Sequence, residues 1–335
     1  VARVPRAQTF RRAGVGGVAA LLAGCSGRQS ALHPAGFEST EVAQLFWVMA
    51  IGSALVWLLV VGFALYATRT SARRHDPRIG RNLIIGGGVI VPTVVLGALL
   101  VYGLQMMPKL RERAAEGMRL EVSGEQWWWR VRYVDPGSGL APVELANEVR
   151  LPVGRRTEVL LASPDVIHSF WIPSLAGKVD MIPGRINRLV LEPTRIGVFR
   201  GACAEYCGAS HAHMEFEAVV MAPDAFAAWL AAQRAPAAVP ASAAQRRGLA
   251  SFTRNGCGGC HTVRGTPANG PVGPDLTHVG SRLTLAAGRL SNEQAEFRRW
   301  IARTHRLKPE ALMPAFDMLP PDELDDLATY MESLQ

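Results

Sequence analysis

Charge is missing from two long stretches of this 335-residue chain: no Asp, Glu, Lys or Arg occurs between Val42 and Ala67 or between Leu83 and Leu104. Each stretch exceeds the roughly 20 residues that a helix needs to cross the hydrocarbon of a bilayer. A buried core helix is the alternative for either one, and two in succession around a basic loop favour membrane spans. Acidic residues are scarce nearby as well. Residues 1–40 hold five Arg against one Glu and residues 68–82 hold five Arg against one Asp, which together account for the whole net charge of +8. A basic balance concentrated in this way reflects topology, and it removes the argument for a nucleic-acid partner. Arg69, Arg73, Arg74, Arg78 and Arg81 lie in the short connection, so the positive-inside rule places loop 68–82 in the cytoplasm and both flanks outside. Pro92 in the second run is tolerated where a neighbouring helix satisfies the freed carbonyl.

Cysteine is scarce too, with five in the chain, and each has a distinct setting. The N-terminus carries Arg3, Arg6, Arg11 and Arg12, a short apolar stretch from Val15 to Leu22, and then Leu22-Ala23-Gly24-Cys25. A basic start, an apolar middle and small residues make an export signal. The segment resembles a bacterial lipoprotein signal, which implies residues 1–25 as signal with lipobox, acylation at Cys25 and membrane lipid as a partner. An ordinary secretory signal with an incidental Cys is the alternative. Residues 26–40 read as a tether ahead of a transmembrane hairpin at 41–105, with spans 42–67 and 83–104.

Two thiols, an imidazole and a thioether are packed into Cys203-Ala-Glu-Tyr-Cys207-Gly-Ala-Ser-His211-Ala-His-Met214. Soft thiolate sulfur with imidazole and a weak thioether suits copper. A single blue-copper ion uses one Cys and structural zinc wants four strong ligands, which this stretch lacks. Two thiolates invite two bridged ions. A disulfide is the ordinary alternative for exported cysteines, but it explains neither His211 nor Met214. His213 would point away from His211 on an extended segment.

From about residue 118 the pattern alternates. Arg119-Leu-Glu-Val-Ser, Thr157-Glu-Val-Leu-Leu, Arg188-Leu-Val-Leu-Glu and Phe216-Glu-Ala-Val-Val are strand-like pieces between Pro and Gly turns, which points to a β-sandwich. Within Gln126-Trp127-Trp128-Trp129 the three rings cannot all face one core, because strand side chains alternate.

The copper-binding run resembles, position by position, the binuclear copper (CuA) loop of the cytochrome c oxidase subunit II family. The resemblance implies that Cys203 and Cys207 bridge two Cu, that His211 and Met214 each bind one, and that the Glu205 backbone carbonyl completes the shell. The family's second histidine matches His168 in Asp165-Val-Ile-His168-Ser-Phe-Trp-Ile-Pro173, and its electron-accepting Trp matches Trp127, with Trp128 and Trp129 as inner aromatics. Asp180 and Arg185 match a segment facing subunit I, and the Glu205 side chain matches a ligand for Mg shared with that subunit. The fold implied for residues 106–222 is an all-β cupredoxin-like Greek-key sandwich, with the ligands on loops at one end.

Residues 223–243 read as a short helix around Phe226–Leu230 followed by an Ala/Pro linker. Ten extended residues at about 3.1 Å each would reach roughly 30 Å, enough to swing a small domain. Beyond it, Cys257-Gly-Gly-Cys260-His261 is a c-type haem attachment signature. Residues 244–335 resemble an all-α class I cytochrome c with one covalent haem c. The resemblance implies His261 and Met313 as axial ligands, with the Pro274 carbonyl holding the imidazole, and prefers Met313 to Met318 and Met331 because Pro314 follows it. The closing stretch Pro321–Leu334 reads as an amphipathic helix.

The chain as a whole is similar to a subunit II carrying its own cytochrome, as in caa-type bacterial haem-copper oxidases. It would take electrons from a reduced cytochrome or other donor at the haem and pass them to CuA and then to subunit I. Oxygen reduction and proton translocation would take place in subunit I, beside subunit III. The chain would be multi-pass in the bacterial inner membrane, with both redox domains on the outer face. The other readings are a CuA subunit of a nitric oxide reductase and a membrane copper metallochaperone; the latter should carry a thioredoxin-like pattern and no haem.

Overall fold

The computed structural model describes residues 26–70, 77–111 and 118–335. Cys25, Arg73 and Arg74 lie outside the described residues, and with them the lipidation expectation.

One unit spans Thr40–Arg113. Helix α1, Phe37–Arg69, carries the first apolar run. The second begins as α2, Pro77–Ile85, passes through a π-helical turn at Gly86–Ile90, and continues as α3, Val91–Arg111. Both are long and apolar enough to cross a membrane. The π turn has a local cause. Pro92 has no N–H to give and its ring would crowd the carbonyl four residues back. The widened turn, in which Val91 N–H donates to the Gly86 carbonyl, precedes it and is built on three glycines.

The other unit holds the described residues 26–39 and 118–335. Ten strands form two five-stranded sheets. They are β1 (Arg119–Glu125), β2 (Trp128–Val134), β3 (Val143–Ala146), β4 (Glu148–Pro152), β5 (Thr157–Ala162), β6 (His168–Trp171), β7 (Val179–Met181), β8 (Asn187–Leu191), β9 (Gly197–Cys203) and β10 (Glu215–Met221). The sheet orders are β3-β2-β1-β5-β8 and β4-β10-β9-β6-β7. Strict alternation of buried and half-buried residues in β1 and β2 follows from the two-residue strand period. Trp129, Phe170 and Phe216 pack ring to ring in the core between the sheets, with Phe170 and Phe216 stacked at 4.7 Å. Three of the four strand-like pieces read from the sequence lie within strands, and the fourth, from Arg188, runs one residue past the end of β8, as fits a cupredoxin-like sandwich.

The segment read as a tether is packed instead. Arg28 pairs with Glu217, its carbonyl accepts from Arg200 N–H at 3.0 Å, and Ala35 N–H donates to Ser174 at 2.7 Å. The spacing of apolar residues here is too sparse to announce that contact, because the partners are backbone groups far away in sequence. Helix α1 contains the expected span 42–67 and extends beyond it on both sides.

After α4, Pro223–Ala232, the linker is pinned rather than free. Arg264 donates to the Gln233 carbonyl at 2.7 Å, Arg234 to the Ala141 carbonyl at 2.6 Å, and Ala237 N–H to the Arg264 carbonyl at 2.8 Å. The C-terminal part comprises α5 (Ala243–Arg254), α6 (Gln294–Leu307) and α7 (Pro321–Ser333), with a small ribbon of β11 (Thr284–Leu285) and β12 (Leu290–Ser291). Ser242 opens α5 with a reciprocal capping box to Gln245. Helices α5 and α7 cross at Gly248, where a Cβ would stand 2.2 Å from the Asp326 carbonyl oxygen, so only glycine allows the approach.

Candidate metal centres

One loop and two strand ends at one end of the sandwich bring the soft donors together. Cys203 ends β9 and His168 begins β6. Cys207, His211 and Met214 follow on the loop into β10. The two sulfurs are 3.8 Å apart, nearly twice the S–S bond length, so no disulfide joins them. His168 Nδ1 lies 3.9 Å from Cys203 Sγ, and the Glu205 carbonyl oxygen lies 3.1 Å from the same sulfur. His211 Nδ1 lies 3.5 Å from Cys207 Sγ and Met214 Sδ lies 3.8 Å from it.

The arrangement therefore has two ends. His168, Cys203 and Cys207 have donors all within 4.8 Å of one another, and His211 stands outside that group beside Cys207. Donors meeting at one tetrahedral point would suit zinc. Two central sulfurs, each flanked by an imidazole and a weaker donor, fit a pair of copper ions instead. The hydrogen bond between the two sulfurs lowers the Cys203 thiol and raises that of Cys207.

Asp165 was quoted in the sequence motif without a role, and the structure supplies one. Its Oδ1 lies 2.8 Å from His168 Nε2, while Oδ2 accepts from Gln126 N–H at 2.7 Å. The contact fixes the ring so that Nδ1 faces the sulfur. Burial opposes charge on His168, yet Cys203 and Asp165 together raise it above the ordinary imidazole value. The only advance signal was a carboxylate three residues before a histidine.

The Trp triplet separates as the strand period requires. Trp129 is wholly in the core, and Trp128 is half-buried beneath the Arg130 guanidinium at 4.6 Å. Of the two expected inner aromatics, Trp129 is one and Trp128 is not, since it lies on the opposite face of its strand. Trp127 is 5% exposed, and its Nε1 donates to the Cys207 carbonyl at 3.0 Å. Gln126 Nε2 donates to the same oxygen at 2.8 Å. Asp180 accepts from Ser169 Oγ at 2.8 Å and from Lys178 at 3.0 Å, and Lys178 lies 3.9 Å from the Glu205 carboxylate. Arg185 stands exposed in the turn after β7. His213 sits in the short 3₁₀ turn with His211, outside the group around the sulfurs.

In the C-terminal part, Cys257 and Cys260 are free thiols, the first one turn ahead of His261 and the second immediately before it. Burial lowers the His261 imidazole below its ordinary value and so favours its neutral form. Its Nδ1–H then donates to the Pro274 carbonyl at 2.9 Å, leaving Nε2 as the free lone pair. A Cβ on Gly273 would stand 2.5 Å from that ring, so the residue must be glycine for the imidazole to keep its pose. This donor set fits a covalent haem with an axial histidine. Of the three methionines, Met331 is buried in α7, Met318 is 71% exposed, and Met313 is half-buried against the domain core.

Two family profiles match: "Cytochrome C oxidase subunit II, periplasmic domain" over residues 135–221 and "Cytochrome c" over residues 245–335. The cytochrome c oxidase subunit 2 of Alkalihalophilus pseudofirmus is 31% identical over 328 residues, covering 94% of each chain. The chain belongs to the cytochrome c oxidase subunit II family. The subunit 2 of Bacillus sp. strain PS3 is 31% identical over 256 residues, covering 73% of this chain and 69% of that one. The periplasmic domain of subunit II of the Bradyrhizobium japonicum cytochrome oxidase is 30% identical, covering 37% of this chain and 96% of that one at a TM-score of 0.33. Membership brings copper to the sandwich, haem to the C-terminal domain and association with the catalytic subunit of a haem-copper oxidase.

Asp165→Asn is expected to weaken copper binding by roughly 10–100-fold, the usual cost of losing the partner that orients a ligating histidine. Competition with a chelator of known affinity measures it; unchanged affinity would remove Asp165 from the site.

Proposed function

We propose that this chain is the electron-carrying subunit of a caa-type terminal oxidase. It receives electrons from a reduced donor at a haem c held by Cys257, Cys260, His261 and Met313. It passes them to two coppers held by His168, Cys203, Glu205, Cys207, His211 and Met214. The next acceptor is the haem of subunit I, where oxygen is reduced to water with proton translocation. Bound in these sites, the haem and the copper pair supply one-electron carriers, and the protein supplies rigid ligands and exclusion of water. Sheet ends hold His168 and Cys203, so the donors barely move when charge changes. Trp127, hydrogen-bonded to the Cys207 carbonyl, receives the electron on the haem side. Glu205, Asp180 and Arg185 face subunit I, and Glu205 exchanges its pairing with Lys178 for Mg there.

The basic loop places residues 68–82 in the cytoplasm and both redox domains on the outer face of the bacterial inner membrane. The observation that carries the reading is the sulfur pair at 3.8 Å with an imidazole at each end. Metal analysis and electron paramagnetic resonance of the purified membrane complex test it. Two coppers sharing one unpaired electron and one covalent haem are expected per chain, and a single localised copper would overturn the assignment.

A further inference from the structure

The segment just ahead of Met313 lies against the copper-binding loop. Lys308 is one of three lysines in a chain of 33 arginines, and 3% of it is exposed. Its Nζ donates to the Trp127 carbonyl and, at 3.3 Å, to the Ala286 carbonyl. The carbonyl of the next residue, Pro309, accepts from Ser210 Oγ at 2.6 Å, and Ser210 is fully buried. A third contact joins Glu215 N–H to the Ala287 carbonyl at 3.1 Å.

These contacts fall at chosen places in the sequence. Ser210 immediately precedes His211, Glu215 immediately follows Met214, and Trp127 is bonded to the Cys207 carbonyl. On the other side, Lys308 and Pro309 belong to the loop that presents Met313. Burial brings the Lys308 ammonium down to about 7, and the partners of its Nζ are backbone carbonyls. An apolar side chain of similar length would fill the site without that desolvation cost. Stability alone therefore does not account for a lysine here, whereas a donor aimed at the Trp127 carbonyl does. The pinned linker points the same way, since it leaves the haem domain little freedom to swing.

We propose that Lys308 and Ser210 are positioning residues for electron transfer inside the chain. They dock the axial-methionine loop on the copper-binding loop, so that electrons cross at one fixed separation instead of during encounters of a tethered domain. Each crossing moves one electron from ferrous haem to the oxidised copper pair, and no bond forms or breaks. The inference rests on the reading that the haem feeds the copper pair.

The test uses the purified complex with Lys308→Met and, separately, Ser210→Ala, which removes one hydrogen bond and keeps the fold should the first variant fail to assemble. Haem-to-copper transfer is followed after photoreduction of the haem, and amide hydrogen exchange is read across residues 208–213 and 306–313. With copper content, haem content and both midpoint potentials unchanged, internal transfer is expected to slow by roughly tenfold or more in Lys308→Met, the scale on which small misplacements of reacting groups act. Ser210→Ala should slow it in the same direction by less. Exchange should quicken in both loops, while haem reduction by an external donor stays as it was. Unchanged transfer and exchange in the variants would overturn the docking role. A native complex in which photoreduced haem never passes its electron to copper would instead overturn the reading beneath it.

Discussion

Replacing Cys207 by serine is expected to abolish the shared-electron copper signal and with it electron delivery to the catalytic subunit. The geometry explains why this residue matters most. Cys207 Sγ is within 3.5–3.8 Å of three other candidate donors: His211 Nδ1, Cys203 Sγ and Met214 Sδ. A hydroxyl is a harder and far weaker donor to copper than thiolate sulfur. Its loss strands His211 and Met214 with no bridge to the other end, where His168, Cys203 and the Glu205 carbonyl remain. Copper affinity should fall by more than the roughly 10–100-fold attached to outer partners of a metal ligand. At most one localised copper per chain should remain, read from metal content and from a resonance spectrum with splitting from one nucleus. The sandwich itself should survive, because serine changes the side-chain volume little in a core that keeps Trp129, Phe170 and Phe216. A Cys207→Ser complex that keeps two coppers and full oxidase turnover would remove the sulfur pair from the electron path.

Much of this was legible because the relevant signals are local. Two charge-free runs read directly as spans, since length and composition alone decide that question. Alternation in Arg119–Ser123 and Phe216–Val220 announced strands, and Cys-x-x-Cys-His announced the haem. Contacts made by backbone groups at long range were illegible. Residues 26–36 and 233–237 look like connecting chain because small, polar and proline residues carry no periodic signal, yet hydrogen bonds to distant carbonyls hold them in place. The π turn before Pro92 was hidden for a related reason: the proline predicts a disturbance, and only the three-dimensional chain shows how it is absorbed. Asp165 and Lys308 belong to the same class. A lone carboxylate or lysine in a sequence is most often a solvated charge, and only the fold shows one aimed at His168 and the other buried against Trp127.

Met313→Leu is expected to lower the haem midpoint potential by something on the order of 0.1 V, within the roughly 0.8 V that axial ligands command. The choice among three methionines turns on placement. Met331 lies on the buried face of α7 with Leu327 and Ala328, where turning it out would open the core. Met318 projects into solvent, and a thioether there has no wall to hold it over iron. Met313 is half-buried against the domain core, and its carbonyl lies 3.0 Å from His305 Nε2, which fixes the loop. Thioether sulfur stabilises ferrous iron and so raises the potential; leucine removes that preference. For one electron each 59 mV is tenfold in equilibrium constant, so a shift of this size disfavours reduction by the donor by roughly 50-fold. Turnover should then be limited by haem reduction rather than by the step to copper. The sulfur-to-iron charge-transfer band of the oxidised haem should vanish, with the covalent haem still present on a denaturing gel. Met318→Leu should leave band and potential untouched, and a Met318→Leu variant that loses them while Met313→Leu keeps them would reassign the ligand.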